Sequence, residues 1–251
     1  MEVSDLVSCT EKISCQDIKL ELTPNQNMNP TPELTLLAKL YTTKTISFIM
    51  VKEVTQKAWK PAFPMEVKKL SQNIYMLSFS HEVDFHKVYH KCPWSIRGGH
   101  LVLKKWSLDL SWQEVDFSLS TIWIQIHGLP DLWRTEDNLK RIGSKISSVV
   151  NVDLIGDFGG TWKKFIQVRV EVDISNRLLP GVLLPRQGRS DLWISLKYEK
   201  IADLYYQCDI IGHDKNHCLA EPFRLYNSSG KPFKATSPWL RADNDDIPPK
   251  A

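Results

Sequence analysis

The run Phe165 to Val172 places Ile166, Val168, Val170 and Val172 at every second position, with Phe165, Gln167, Arg169 and Glu171 between them. Successive side chains of a strand point to opposite faces, so this period of two predicts a strand with one face in a core. It recurs at Ile122, Ile124 and Ile126, interleaved with Trp123, Gln125 and His127, and again from Trp193 to Tyr198. Between the first two of these runs, Gly128-Leu129-Pro130 breaks the strand. Thr135 then caps a helix with Glu136 and Asp137 in its first turn and Leu139, Ile142 and Ile146 along its apolar stripe. Val149 to Ile155 returns as strand. These patterns predict an α+β unit over residues 109–203.

An earlier unit, 34–108, reads in a different order. Leu34 to Tyr41 has the length and content of a strand, and Met50, Val51, Val54 and Ala58 share one side of a helix stopped by Pro61. Val67 to Leu70 and Asn73 to Phe79 read as two strands about a turn at Ser71-Gln72. Ser80 is the expected cap of a second helix, with Glu82 and Asp84 in its first turn and Phe85, Val88, Tyr89 and Cys92 on one face, ended by Pro93. After Gly98-Gly99, His100 to Trp106 is the last strand. The order β-α-β-β-α-β is ferredoxin-like, an arrangement also used by RNA-recognition domains.

The flanks carry no apolar period. Residues 1–33, with the Pro/Asn-rich stretch Thr23 to Pro32, are expected to be a disordered lead-in, and 221–251, Pro/Ser-rich and acidic at Asp243, Asp245 and Asp246, a flexible tail. The net charge of +3 hides an asymmetry, because six acids against two bases give residues 1–33 a net charge of −4 and leave +7 on the remainder. A mildly basic body is compatible with a polyanionic partner. Five Cys at scattered positions make no disulfide framework, which points to a reducing, intracellular setting, nuclear or cytoplasmic. Glu2, Asp5 and Glu11 fall where a secretory signal would need a basic start and an apolar stretch, so no such signal is expected.

Only at 204–220 do Cys and His recur at metal-ligand spacing. Four residues separate Cys208 from His213, and four separate His213 from Cys218, the last two gaps of a C-x2-C-x4-H-x4-C zinc knuckle. Position 205, where the first Cys belongs, holds Tyr205, and a phenol with its pKa near 10 is a poor substitute for a thiolate. Two readings stand. Zinc is held by Cys208, His213 and Cys218 with His217 or water completing the shell, or the loop persists without metal.

Most of the chain resembles a plant protein family with an N-terminal domain of unknown function, akin to retrotransposon gag-like or LINE-associated modules, and a C-terminal CCHC zinc knuckle. The resemblance is carried, in order, by Ala58-Trp59, Cys92-Pro93-Trp94-Ser95, Leu101 to Trp106, Trp123 to Pro130, Arg141-Ile142-Gly143, Val168 to Asp173, Leu196 to Lys200 and Pro238 to Ala242. It departs at Tyr205 and at Asp209, which stands where such knuckles usually have a turn-making Gly. The resemblance implies a nucleic-acid-binding protein of retroelement origin with a degenerate knuckle.

If the three alternating strands run in phase, Trp123, Gln125, His127, Phe165, Arg169, Trp193 and Lys197 share one face. Aromatic rings interleaved with cations suit base stacking beside phosphates. Trp123, Arg169, Trp193 and Lys197, with Tyr206 and Lys215 of the knuckle, are the candidate nucleic-acid contacts. The bland alternative is that this face is covered by the first unit or by a loop, and nine Trp in a chain of 251 residues favour it. In the first unit, Tyr75 and Phe79 alone make no platform. Lys68-Lys69, Lys104-Lys105, Lys163-Lys164, Arg186 and Arg189 are further candidate phosphate contacts, or ordinary solvated surface. No nucleophile, phosphate-cradling loop or paired-acid motif is present, so no enzymatic activity is expected. The rival to nucleic-acid binding is a protein-interaction or structural remnant.

Overall fold

The computed structural model describes residues 20–23, 34–153, 165–202, 204–205, 208–212, 216, 218, 224–226, 230, 232–233 and 238–243. Met1–Pro32 forms a unit of its own, and the expected lead-in lies outside the described residues except for 20–23. Glu33–Ala251 is the second unit and holds every element below.

Its first half is β1 (Thr35–Tyr41), α1 (Phe48–Trp59), β2 (Met65–Ser71), β3 (Ile74–Phe79), α2 (Glu82–His90), β4 (Trp94–Ile96) and β5 (Gly99–Lys105), with strand order β2-β3-β1-β5-β4, all antiparallel. The ferredoxin-like order is therefore present, with the short β4 added as a hairpin on the β5 edge. Ser47 caps α1 by accepting from Met50 N at 3.3 Å, and Lys60 closes it in a left-handed conformation just before Pro61. His81, not Ser80, caps α2: its ring Nδ1 accepts from Val83 N at 3.1 Å, while Ser80 Oγ donates to the Pro64 carbonyl at 2.8 Å. The two helices cover one face of the sheet, burying Leu36, Ala38, Leu40, Leu77, Leu101 and Leu103 with Val51, Trp59, Phe85 and Val88.

The second half is β6 (Leu119–His127), α3 (Glu136–Ser144), β7 (Ser148–Asp153), β8 (Phe165–Asp173), β9 (Gly181–Leu184) and β10 (Leu192–Tyr198). Its strand order, β7-β8-β6-β10-β9, repeats that of the first half position for position. Thr135 caps α3 as expected, and Gly143 lets the helix sit close on the sheet, since a Cβ there would stand 2.6 Å from a Val149 methyl. One element is missing from the repeat. Where the first half has α2, the second has only residues 174–180, of which Ile174 and Leu178 are buried.

Part of the strip that a second helix would cover is filled from further along the chain. Leu204 and Ile211, on the paired strands β11 (Leu204–Tyr205) and β12 (Ile210–Ile211), join the second core together with Trp239 and Leu240. Leu178 N donates to Asp209 O at 2.9 Å, and Arg241 donates to Ala202 O at 2.7 Å. The expectation of a flexible tail from 221 onward thus fails at its Pro238–Leu240 turn, because Trp239 and Leu240 are 3% and 0% exposed. Isolated apolar residues show no period, and only the tertiary fold gives these two a place to be buried.

Candidate nucleic-acid interface

Strand register settles the phase of the second sheet. Trp123 pairs with Arg169, Gln125 with Gln167, His127 with Phe165, and Lys197 with Gln125, so all lie on the face opposite the Ile/Val core, and Trp193 follows on the same side of β10. The expected juxtaposition of rings and cations exists. The face is not open, however. Arg169 and Lys197 are each 7% exposed, whereas Trp123 and Trp193 are half-buried.

The cover over Arg169 is the end of α2. The guanidinium donates to Tyr89 O and to Cys92 Sγ, both at 3.3 Å, approaches His90 Nδ1 at 3.5 Å, and stands 5.9 Å from the Trp123 ring centre. Burial raises the Cys92 thiol pKa despite the adjacent Arg169 charge, so this thiol is held protonated. A cation at the C-terminal turn of a helix meets unpaired carbonyls and the negative end of the dipole, a structural role that needs no phosphate.

The middle of the face is a polar network. Gln125 and Gln167 both donate from Nε2 to Glu199 Oε1, the former at 2.7 Å, and His127 Nε2 lies 3.0 Å from Gln125 Oε1. Burial, and then the charge of Lys197, bring His127 down to about 4, so its ring is neutral at neutral pH. Trp193 packs closely on Gly181: a Cβ on that glycine would be 2.5 Å from the indole. The half-buried Trp123, Trp193, His127 and Phe165 are what remains of the expected stacking surface.

The first sheet's outer face is closed as well. Leu37 and Val102 on it are buried within the second core, and Tyr41 donates from its hydroxyl to Phe117 O at 3.1 Å. Gly212, just after β12, rests against Tyr41, where a Cβ would stand 3.3 Å from Tyr41 Cβ. Tyr75 and Phe79 point to the helix side and are buried. Of the expected phosphate contacts, Lys104 pairs with Glu171, Lys105 sits over the Tyr89 ring, Lys68 pairs with Glu66 and Arg186 donates to Ser190 O. Lys69 and Arg189 are exposed, and Lys163 and Lys164 lie outside the described residues.

At the knuckle, Cys208 N and Asp209 N both donate to Tyr205 O, at 3.2 and 2.9 Å, closing a tight turn over the x2 gap. Asp209 has φ 63°, the left-handed conformation in which Gly costs least. Burial above all, with the hydrogen-bonded Cys218 thiol beside it, pushes Cys208 up to about 11. The fold therefore brings the second and fourth ligand positions together. His213, His217, Tyr206 and Lys215 lie outside the described residues, and among the described residues no group of three or more His, Cys, Asp or Glu is arranged to hold a metal. The first position remains a tyrosine. A closed structural zinc site needs four N/S donors, and of the spaced ligands the described residues hold Cys208 and Cys218.

Residues 31–114 match the profile of a domain of unknown function, DUF4283, and residues 172–220 match that of a zinc knuckle. The second match begins in β8 and runs through β9 and β10, the strands beside which the turn is docked. No curated protein matches the chain. Among solved structures the chain is similar to one described as a Sxl-lethal protein/RNA complex, at 15% identity, covering 66% of this chain and 98% of that one, with a TM-score of 0.27. At that level the likeness supports no inference about what the chain does.

Proposed function

We propose that the chain binds nucleic acid, single-stranded RNA or DNA, and that it is a retroelement-derived protein acting inside the cell, in nucleus or cytoplasm, by binding rather than by catalysis. The observation that carries the reading is the zinc-knuckle match over 172–220, together with the turn that holds Cys208 against Cys218. The contacts this reading calls on are the half-buried Trp123, Trp193, His127 and Phe165 and, by sequence position, the knuckle's Tyr206 and Lys215. Arg169 and Lys197 act from beneath, holding the face together. Among the described residues no helix is long and apolar enough to cross a membrane.

A second reading is favoured by the closure of both sheet faces: a protein-interaction or structural remnant that keeps the fold without the ligand. Retention on single-stranded oligonucleotides as a function of salt separates the two. Binding through phosphates gives a log-log slope of about −0.7 per phosphate contact on a single strand. A chain retained equally at all salt concentrations, or not at all, overturns the nucleic-acid reading.

A further inference from the structure

The missing helix of the second half leaves a place for one. In the first half, α2 packs on β3, where Phe85 meets Phe79 edge-on, and Phe85 and Val88 join the buried leucines of β1 and β5 in one core. In the second half the strip beside α3 lies over β6, β10 and β9, since α3 packs on β7 and β8. Leu204, Ile211, Trp239 and Leu240 fill one end of it around Tyr198. At the other end a cleft of about 450 Å³ stays open between α3 and the edge strand β9, lined by Leu129, Trp133, Ile142, Val182, Leu184 and Ile194. Clefts of that size lie within the range that takes a ligand or several partner side chains.

The rim is cationic. Arg141 and Lys145, one helical turn apart and both exposed, border the cleft. Lys140 is paired with Glu136 and Arg134 with Asp131, but neither Arg141 nor Lys145 makes an ion pair among the described residues. The floor is mostly aliphatic, and Asn138, the polar side chain on its wall, already donates to Trp133 O at 3.1 Å. A nucleobase would find one ring to stack on and little to satisfy its edge.

We infer that this cleft seats an amphipathic helix of a partner protein, with aliphatic residues at i, i+3 or i+4, and i+7 facing the floor and carboxylates on the flank facing Arg141 and Lys145. The first half's own second helix is likewise amphipathic. Glu82 opens α2 on its outer side, Phe85 and Val88 face the core, and the buried Asp84 accepts from Phe63 N at 2.9 Å. The missing element is thus supplied in trans, as helix-in-groove recognition rather than as part of the chain's own core.

The test uses the full chain and a fluorescently labelled amphipathic peptide of about four turns, with Leu at the inward positions and Glu on the flanks. A scrambled peptide and a version with Lys in place of Glu serve as controls. Anisotropy should show salt-sensitive binding of the Glu peptide alone. R141E/K145E, both on exposed helix surface, should weaken that binding by roughly ten-fold or more and raise affinity for the Lys peptide, because opposed like charges replace attraction. Single-stranded oligonucleotide should neither displace the peptide nor lose its own salt-dependent retention in the variant. Failure of the Glu peptide to bind, equal binding of the scrambled peptide, or indifference to R141E/K145E overturns the inference. Displacement by oligonucleotide also overturns it, and makes the cleft a nucleic-acid site.

Discussion

The guanidinium of Arg169, on β8, donates to the carbonyl oxygen of Tyr89, in the last turn of α2, at 3.3 Å. Eighty residues apart in sequence, the two join the halves of the larger unit. His100 and Ser120, 2.8 Å apart, and Lys104 and Glu171, at 3.3 Å, are further joints of the same seam. A residue that looks like a phosphate contact from its alternation is here a strut between two sheets.

Arg169→Ala is therefore expected to cost stability before it costs binding. Hydrogen bonds to a charged group contribute about 1.5–3 kcal/mol and the ring contact with Trp123 about 0.5–1 kcal/mol, so a loss near 3 kcal/mol should appear as a lower denaturant midpoint. Arg169→Lys should recover little of it, because an ammonium lacks the planar fork that reaches Tyr89 O and Cys92 Sγ from Nη2 and His90 from Nη1. Unchanged stability with lost oligonucleotide affinity would return Arg169 to the ligand side.

His100 sets an acid limit on the fold. It is fully buried, its Nδ1 has no hydrogen-bond partner, and burial brings it down to about 4 from its ordinary 6.5. With the folded value below the unfolded one, the unfolded chain binds the proton first. Stability is then complete above about pH 6.5 and is lost as pH falls toward 4, by about 3 kcal/mol for this group. His127 adds to the loss in the same window, discounted because it is partly exposed. Denaturant unfolding from pH 7 to 4 should show a shallower decline in His100→Gln than in the parent; parallel curves would count against this role.

Much of the fold could be read from period alone, and what could not has physical causes. Alternation revealed β6, β8 and β10 because each is long and carries its aliphatic residues on one face. The strands β4 and β9, three and four residues long, are too short to display a period. His81 replaced Ser80 as the helix cap because an imidazole nitrogen accepts as well as a hydroxyl once the turn begins one residue later. For the candidate site, the phase of Trp123, Arg169 and Lys197 was legible, but their burial was not, since a period states which face a residue occupies and nothing about what lies over it. The cleft beside Arg141 and Lys145 left no local trace, because it results from a helix absent between β8 and β9.

The turn at Pro238–Leu240 carries a prediction of its own. Trp239 is 3% exposed and Leu240 fully buried against Tyr198 and its neighbours. Large-to-small changes at such sites cost about 3–5 kcal/mol, so Trp239→Ala, or truncation before Pro238, should destabilise the second half and open it to proteolysis between β9 and β10. A truncated chain as stable as the full one would make this docking superficial.

The knuckle offers the sharpest chemical test. Tyr205 occupies the first ligand position, yet its carbonyl already receives Cys208 N and Asp209 N, the turn that a C-x2-C pair requires, and Asp209 already holds the left-handed conformation usually given to Gly. The turn of the first ligand pair is thus in place while its first thiolate is not, and Cys208 and Cys218 are in contact, with His213 a ligand by spacing. An incomplete shell forfeits part of the roughly 10–16 kcal/mol that structural zinc sites gain, so the parent should take up substoichiometric zinc under conditions that saturate an intact knuckle. Tyr205→Cys should bind one zinc per chain and raise the unfolding temperature in zinc over chelator, with its cysteines protected from alkylation. Full occupancy in the parent would assign the fourth position to His217 or water, and no gain from the new thiol would show that the turn has repacked around the phenol.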